Sequence, residues 1–345
     1  MADRIALTTQ RRPKTKRWES VFCLVVCAAL SACVARPAMV EEVRIDSRSF
    51  TFIEELLAGA RGTPQRVDGV LALPEDAAGG APYPALVLLH TSNGQGSQDW
   101  LYAKRFRELG IAVLAVDSFS ARDVSHTVRD QTLVSTASML ADAYAALDYL
   151  SGDARVDPER IGVIGFSKGG IAALYAAYEP IRDRTAKEGR GFALHVAYYP
   201  WCGMRLRRSV TTGAPVLIQS GALDDLVPPK RCAELIEATE GPHGPNRMEL
   251  VVHPGARHAF DHPMLSLFGN LQITAPSPAS CRLEEQSDGG FVERSNGLPI
   301  NSENLKEVLA LCSRGGHAGG NEKAAERAFA KTLEFLRTAG FLPPA

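Results

Sequence analysis

This chain has no apolar run long enough to cross a bilayer. Its ten-residue stretch Val21–Leu30, VFCLVVCAAL, falls short of the roughly 20 residues that a spanning helix needs. It has no excess of basic charge. Against 38 Lys+Arg stand 39 Asp+Glu in 345 residues, a net charge of −1, which leaves nothing to attract a nucleic-acid backbone. Internal repeats and long blocks of like charge are also missing. No CxxC pair and no spaced set of His and Cys ligands occurs, so no zinc site and no cofactor is expected. What remains is ordinary globular composition, 45% hydrophobic and 22% charged, which suits one large domain.

The N-terminus has a layout of its own. Arg11, Arg12, Lys14, Lys16 and Arg17 precede the apolar run, and Leu30-Ser31-Ala32-Cys33 follows it. Basic, then apolar, then small residues is the order of a secretory signal. The ending LSAC resembles a bacterial lipobox, which would be cut after residue 32 and would carry lipid on Cys33. A plain signal peptide and a retained anchor are the alternatives. Cutting there leaves 32 Lys+Arg against 37 Asp+Glu, a mature charge of −5. The expected location is the periplasm or the outer membrane, with attachment through Cys33. Four cysteines lie beyond it, Cys202, Cys232, Cys281 and Cys312. An even number in an oxidising compartment points to disulfides, and spacing alone does not choose among the three pairings.

From about residue 40 the chain alternates strands with helices. RVDGVLALP (66–74) reads as an early edge strand. PALVLLH (84–90), IAVLAVDSF (111–119), RIGVIGF (160–166), LHVAYYP (194–200), PVLIQSG (215–221) and MELVVHPG (248–255) read as core strands. Helices are expected at 100–110, 132–151, after Ser167, at 230–239 and at 322–340. Strands apolar on both faces, alternating with helices, describe a doubly wound, mostly parallel α/β sheet covered on two sides. Residues 261–321 break the rhythm. They are rich in Pro, Ser, Gly and Asn, with one helical patch near 303–311, and read as an insertion or lid. A Cys281–Cys312 bridge would tie that insertion to itself.

At the end of one core strand stands Gly165-Phe166-Ser167-Lys168-Gly169. Gly-x-Ser-x-Gly between a strand and a helix is a nucleophile elbow: the turn is too sharp for Cβ atoms beside it, and the serine is thrust above the sheet. The helix N-terminus adds free N–H groups and a positive dipole end. A serine hydroxyl needs a base, and the base needs a carboxylate to orient it. In this arrangement they follow in the order Ser, Asp or Glu, His. GALDDLVPP offers Asp224 and its neighbour Asp225, which could exchange roles. HPGARHAFDH offers His258 in the loop past Gly255, with His253 and His262 as alternatives. His90, at a strand end, is expected to brace the loop after it. His126, His195, His243 and His317 show no partner spacing.

Together, RIGVIGFSKGG, GALDDLVPP and HPGARHAFD resemble the dienelactone hydrolase family of α/β-hydrolases, and PALVLLHTSNG and LAVDSFSAR match its early strands. The resemblance spans about residues 65–262 and returns in the last helix. It implies the α/β-hydrolase fold, Ser167 as nucleophile, His258 as base and Asp224 as its orienter. It also implies an oxyanion hole from the backbone N–H groups of Lys168 and Ser92, with Thr91 the near alternative to Ser92. YYPWC and PPKRC resemble exported members and imply a Cys202–Cys232 bridge. The namesake enzymes use cysteine as nucleophile; serine here favours ordinary carboxylic esters. They also hold a substrate carboxylate with arginines. Arg122 matches one of these, while His262 stands four places after His258. The expectation is therefore a serine hydrolase of small-molecule esters. A peptidase of the prolyl oligopeptidase type and a non-catalytic, ligand-binding lipoprotein are the rival readings.

Overall fold

The computed structural model describes residues 40–74, 82–239, 247–268 and 270–344. The basic and apolar N-terminal segments, the lipobox with Cys33, and His243 lie outside the described residues. Eight strands form the main sheet: β1 (Val40–Ser49), β2 (Thr63–Ala72), β3 (Tyr83–Leu89), β4 (Ala112–Asp117), β5 (Val156–Phe166), β6 (His195–Tyr198), β8 (Val216–Gly221) and β9 (Met248–His253). A two-residue strand, β7 (Met204–Arg205), lies outside it. The order is β1-β2-β4-β3-β5-β6-β8-β9. Pairing is antiparallel from β1 through β2 to β4 and parallel from there on.

Why this sheet forms is visible in its centre. Residues 85–89 of β3 and 163–166 of β5 are fully buried, successive side chains facing opposite sides, so both faces must be covered. Helices α1 (Ile53–Leu57), α2 (Ser97–Glu108), α3 (Thr136–Ser151), α4 (Lys168–Tyr175), α5 (Glu179–Thr185) and α6 (Lys230–Ala238) supply part of that cover. On α3 the side chain of Ser135 caps the helix by accepting the N–H of Ser138. That cap starts the helix at 136 rather than at the expected 132. The edge position differs from expectation as well. RVDGVLALP is the second strand, and β1 is the edge. In β1 only Val43 and Ile45 are buried, among exposed charged residues, the half-wetted pattern of an edge strand.

The insertion is folded rather than irregular. After α7 (Pro263–Phe268) come β10 (Asn270–Ser277), β11 (Leu283–Glu285), β12 (Phe291–Glu293), β13 (Leu298–Ile300), α8 (Leu305–Cys312) and β14 (Arg314–Gly319). The last helix, α9 (Glu322–Thr338), follows. β11, β12 and β13 make an antiparallel meander, whose first strand pairs parallel with β7 of the body. β10 and β14 pair antiparallel. The Cys281–Cys312 bridge joins the start of the meander to the end of α8, and Cys202–Cys232 joins the segment after β6 to α6.

Candidate active site

Ser167 sits between β5 and α4, at φ 51° and ψ −109°, a region that side-chain-bearing residues seldom occupy. Sterics force the two flanking glycines. A Cβ on Gly165 would stand 2.1 Å from the carbonyl oxygen of Gly169, and one on Gly169 would stand 2.2 Å from that of Leu89. The turn is pinned by Ser167 N–H donating to Tyr198 O at 2.9 Å and Gly169 N–H to His90 O at 3.1 Å.

Three distant segments meet at this turn. Ser167 Oγ lies 2.9 Å from Nε2 of His258. His258 Nδ1 lies 2.8 Å from Oδ2 of Asp224. The other carboxylate oxygen of Asp224 accepts the N–H groups of Leu226 at 3.0 Å and Val227 at 2.8 Å. Those two bonds fix which oxygen faces the imidazole. Asp224 and His258 are both buried. The neighbour Asp225 faces away and takes the ring and backbone N–H of His317 on β14, both at 2.7 Å. Although partial burial raises the Asp225 pKa, the donors from His317 outweigh it and hold the carboxyl below its ordinary range.

The alternative histidines fall elsewhere. His253 bonds Gln219 inside the sheet at 2.7 Å. His262 lines the cavity beside Ser167 without touching it through a hydrogen bond. His90 Nε2 accepts the N–H of Ser118 at 3.1 Å, so its Nδ1–H donates to Thr91 O at 2.7 Å. It braces the loop that carries Thr91 and Ser92. Both of those residues line the cavity. Thr91 is paired back onto Gly94 across a tight turn. Lys168, first residue of α4, has no intrahelical acceptor for its backbone N–H.

Arg122 is a correction. It does not line the cavity. Its guanidinium is a buried fork on Asp142, with N–O distances of 2.8 and 2.9 Å, and it also donates to Ser49 Oγ and Ser118 O. A side chain so engaged cannot also hold a substrate carboxylate.

The sequence assigns no role to several residues around the site. Gln131 accepts the Ser92 hydroxyl at 3.1 Å and, through its backbone O at 2.7 Å and Oε1 at 3.2 Å, the Lys168 ammonium. It thus couples the two segments that bear the candidate oxyanion donors. Tyr199 stands edge-on to the His258 ring at 4.8 Å, and its hydroxyl donates to Asp261 at 2.7 Å, as does that of Tyr102. Asp261 is buried, and burial pushes its pKa up. On the far side, Gly319 N–H donates to His258 O at 3.0 Å, so the end of the insertion buttresses the histidine loop. None of these contacts follows a sequence spacing.

Burial pushes the Lys168 pKa from an ordinary 10.5 down to about 7. Between those values the unfolded chain holds a proton that the folded chain has released. Stability therefore rises with pH across that window, and the cost of burying the cation is full below it. From about pH 7 to pH 9.5 the gain should be roughly 2–4 kcal/mol. Lys168→Met should flatten this slope in urea unfolding curves, while keeping the backbone N–H.

The dienelactone hydrolase family model matches residues 67–275, more than half of the chain. This protein belongs to the dienelactone hydrolase family. Among its relatives, the Bacillus subtilis "Putative hydrolase YtaP" is 31% identical over 41% of this chain, which spans only 54% of that protein's length. The "Putative carboxymethylenebutenolidase" of Methylorubrum extorquens is 28% identical over 64% of this chain and 78% of its own. A crystal structure of a dienelactone hydrolase-like promiscuous phosphotriesterase from metagenomic libraries superposes with a TM-score of 0.51 at 19% identity. It covers 88% of this chain and 99% of that one. This likeness gives the chain the α/β-hydrolase fold that the resemblance implied, with the mostly parallel sheet that the strand pattern implied.

Proposed function

We propose that the protein is a serine hydrolase of carboxylic esters, working through an acyl-enzyme on Ser167. The observation that carries this reading is the relay from Ser167 Oγ to His258 to Asp224, at 2.9 and 2.8 Å, on a strained elbow. With Nδ1–H donated to Asp224, Nε2 of His258 is the lone-pair nitrogen and faces the hydroxyl. It takes the Ser167 proton as Oγ attacks the ester carbonyl. The N–H groups of Lys168 and Ser92 receive the oxyanion, each worth about 3–4 kcal/mol in comparable sites. His258 then protonates the leaving alcohol, and water repeats the cycle to free the acid. Carboxymethylenebutenolidase, the name of one relative, is consistent with hydrolysis of an ester bond.

The test is a pre-steady-state burst. Mixing with a p-nitrophenyl ester should release one equivalent of p-nitrophenol per protein before the steady rate, and a fluorophosphonate should label one serine per chain. A protein that gives neither, although folded, is the non-catalytic binder instead. Faster cleavage of aminoacyl anilides than of esters would favour the peptidase reading.

We also propose export as a lipoprotein anchored through Cys33. LSAC and the two bridges, Cys202–Cys232 and Cys281–Cys312, support it. Metabolic labelling with a fatty-acid probe, lost in Cys33→Ser, tests it.

A further inference from the structure

The cavity against Ser167 has a volume of about 450 Å³, within the range of ~300–1,000 Å³ that encloses a drug-sized ligand. It is far more room than an acetyl group fills. Its polar side chains Ser92, Gln131 and Lys168 bond one another beside the nucleophile. Elsewhere the wall is mostly apolar, interrupted by a few Ser, Thr and Asn side chains and by His258 and His262. The body contributes Phe52, Ile53, Ile171, Met204, Leu226 and Val227; the insertion contributes Met264, Leu265, Leu271, Leu283, Leu305 and Leu309. Among the described residues no carboxylate and no arginine lines it, and Lys168 is the one Lys. Lys168 is 4% exposed and its ammonium is bonded to Gln131, with its charged form disfavoured by burial. Among the described residues an anionic substrate therefore meets no free Lys or Arg there.

The apolar wall continues to the outside. Met264 and Leu271 line the cavity and yet are 44% and 45% exposed, and Leu267 on the same helix as Met264 is 76% exposed. Apolar surface left open around a cavity mouth is stabilised when a ligand covers it. The Cys281–Cys312 bridge lies two residues from Leu283 and three from Leu309, so it clamps two parts of the wall together.

Resting on the serine-esterase reading above, we propose that the substrates are esters bearing an extended or bulky uncharged apolar group, and that the insertion forms the wall which selects for it. That group could be the acyl or the alcohol half, and the assay separates them. Two series are measured below their critical micelle concentrations: p-nitrophenyl acetate, butyrate and octanoate for the acyl side, and ethyl, butyl and octyl acetate for the alcohol side. A fully buried methylene is worth roughly fourfold. The six added between acetate and octanoate should thus raise kcat/KM by at least about tenfold in one series, even with incomplete burial. Leu309→Trp narrows the cavity and should cut the octyl-to-short ratio at least about fivefold; should that chain not fold, Leu283→Phe reads the same ratio.

A flat or falling profile in both series, with short esters still hydrolysed and Ser167 still labelled by fluorophosphonate, overturns the substrate proposal and leaves the esterase reading standing. An unchanged ratio in both folded variants overturns the role of the insertion. No turnover of any ester and no labelling overturns both readings together.

Discussion

Ser167→Ala is expected to lower kcat for a p-nitrophenyl ester by roughly 10⁵–10⁶-fold and to abolish fluorophosphonate labelling. The magnitude follows from the site's construction. With the hydroxyl gone, His258 has no proton to take, and only the backbone donors and the cavity remain to act on a water. Stability should scarcely move, because alanine inherits the same backbone at φ 51°. Ser167→Gly should be just as inactive but more stable than Ser167→Ala by about 1 kcal/mol, since glycine occupies positive φ freely. Thermal unfolding of the two variants measures the strain held at the elbow. Equal melting temperatures would mean that the turn is not strained as its dihedrals imply.

Asp224→Asn is expected to cost about 10⁴-fold in kcat with the fold intact. The reason lies in the two N–H groups of Leu226 and Val227, which both point at Oδ1 of Asp224. An asparagine must turn its carbonyl oxygen toward them, which places its NH₂ against Nδ1 of His258. The imidazole can then accept there only by carrying its proton on Nε2, the nitrogen that must receive the serine proton. Asp225→Asn is the control. Its carboxylate faces His317 in a half-exposed contact, where such pairs contribute little, so kcat should change by less than about threefold. A large loss in Asp225→Asn with a small one in Asp224→Asn would reverse the roles.

How much of this was legible beforehand depends on how local each cause is. Core strands are runs of apolar residues, and their positions matched the observed elements to within a few residues. β1 carries little signal, because only two of its ten side chains, Val43 and Ile45, are buried, and charged residues surround them. The insertion looked irregular because its meander strands are three residues long, too short to display a period of two. The engagement of Arg122 is not legible in the sequence because its partner, Asp142, lies 20 residues away on a helix. Spacing does not reveal that a buried carboxylate will engage the guanidinium first.

By itself the sequence determined the alternating architecture, the elbow and the order Ser, acid, His. The architecture follows from hydrophobic period and the elbow from the steric demand of a turn flanked by glycines, both written within a dozen residues, and the order comes with the elbow arrangement. Only the tertiary structure decided between Asp224 and Asp225, took Arg122 out of the cavity, and turned residues 261–321 into an apolar wall beside Ser167. Each of those outcomes depends on which groups compete for the same hydrogen bonds or the same buried surface, and the competitors are brought together only when the chain folds.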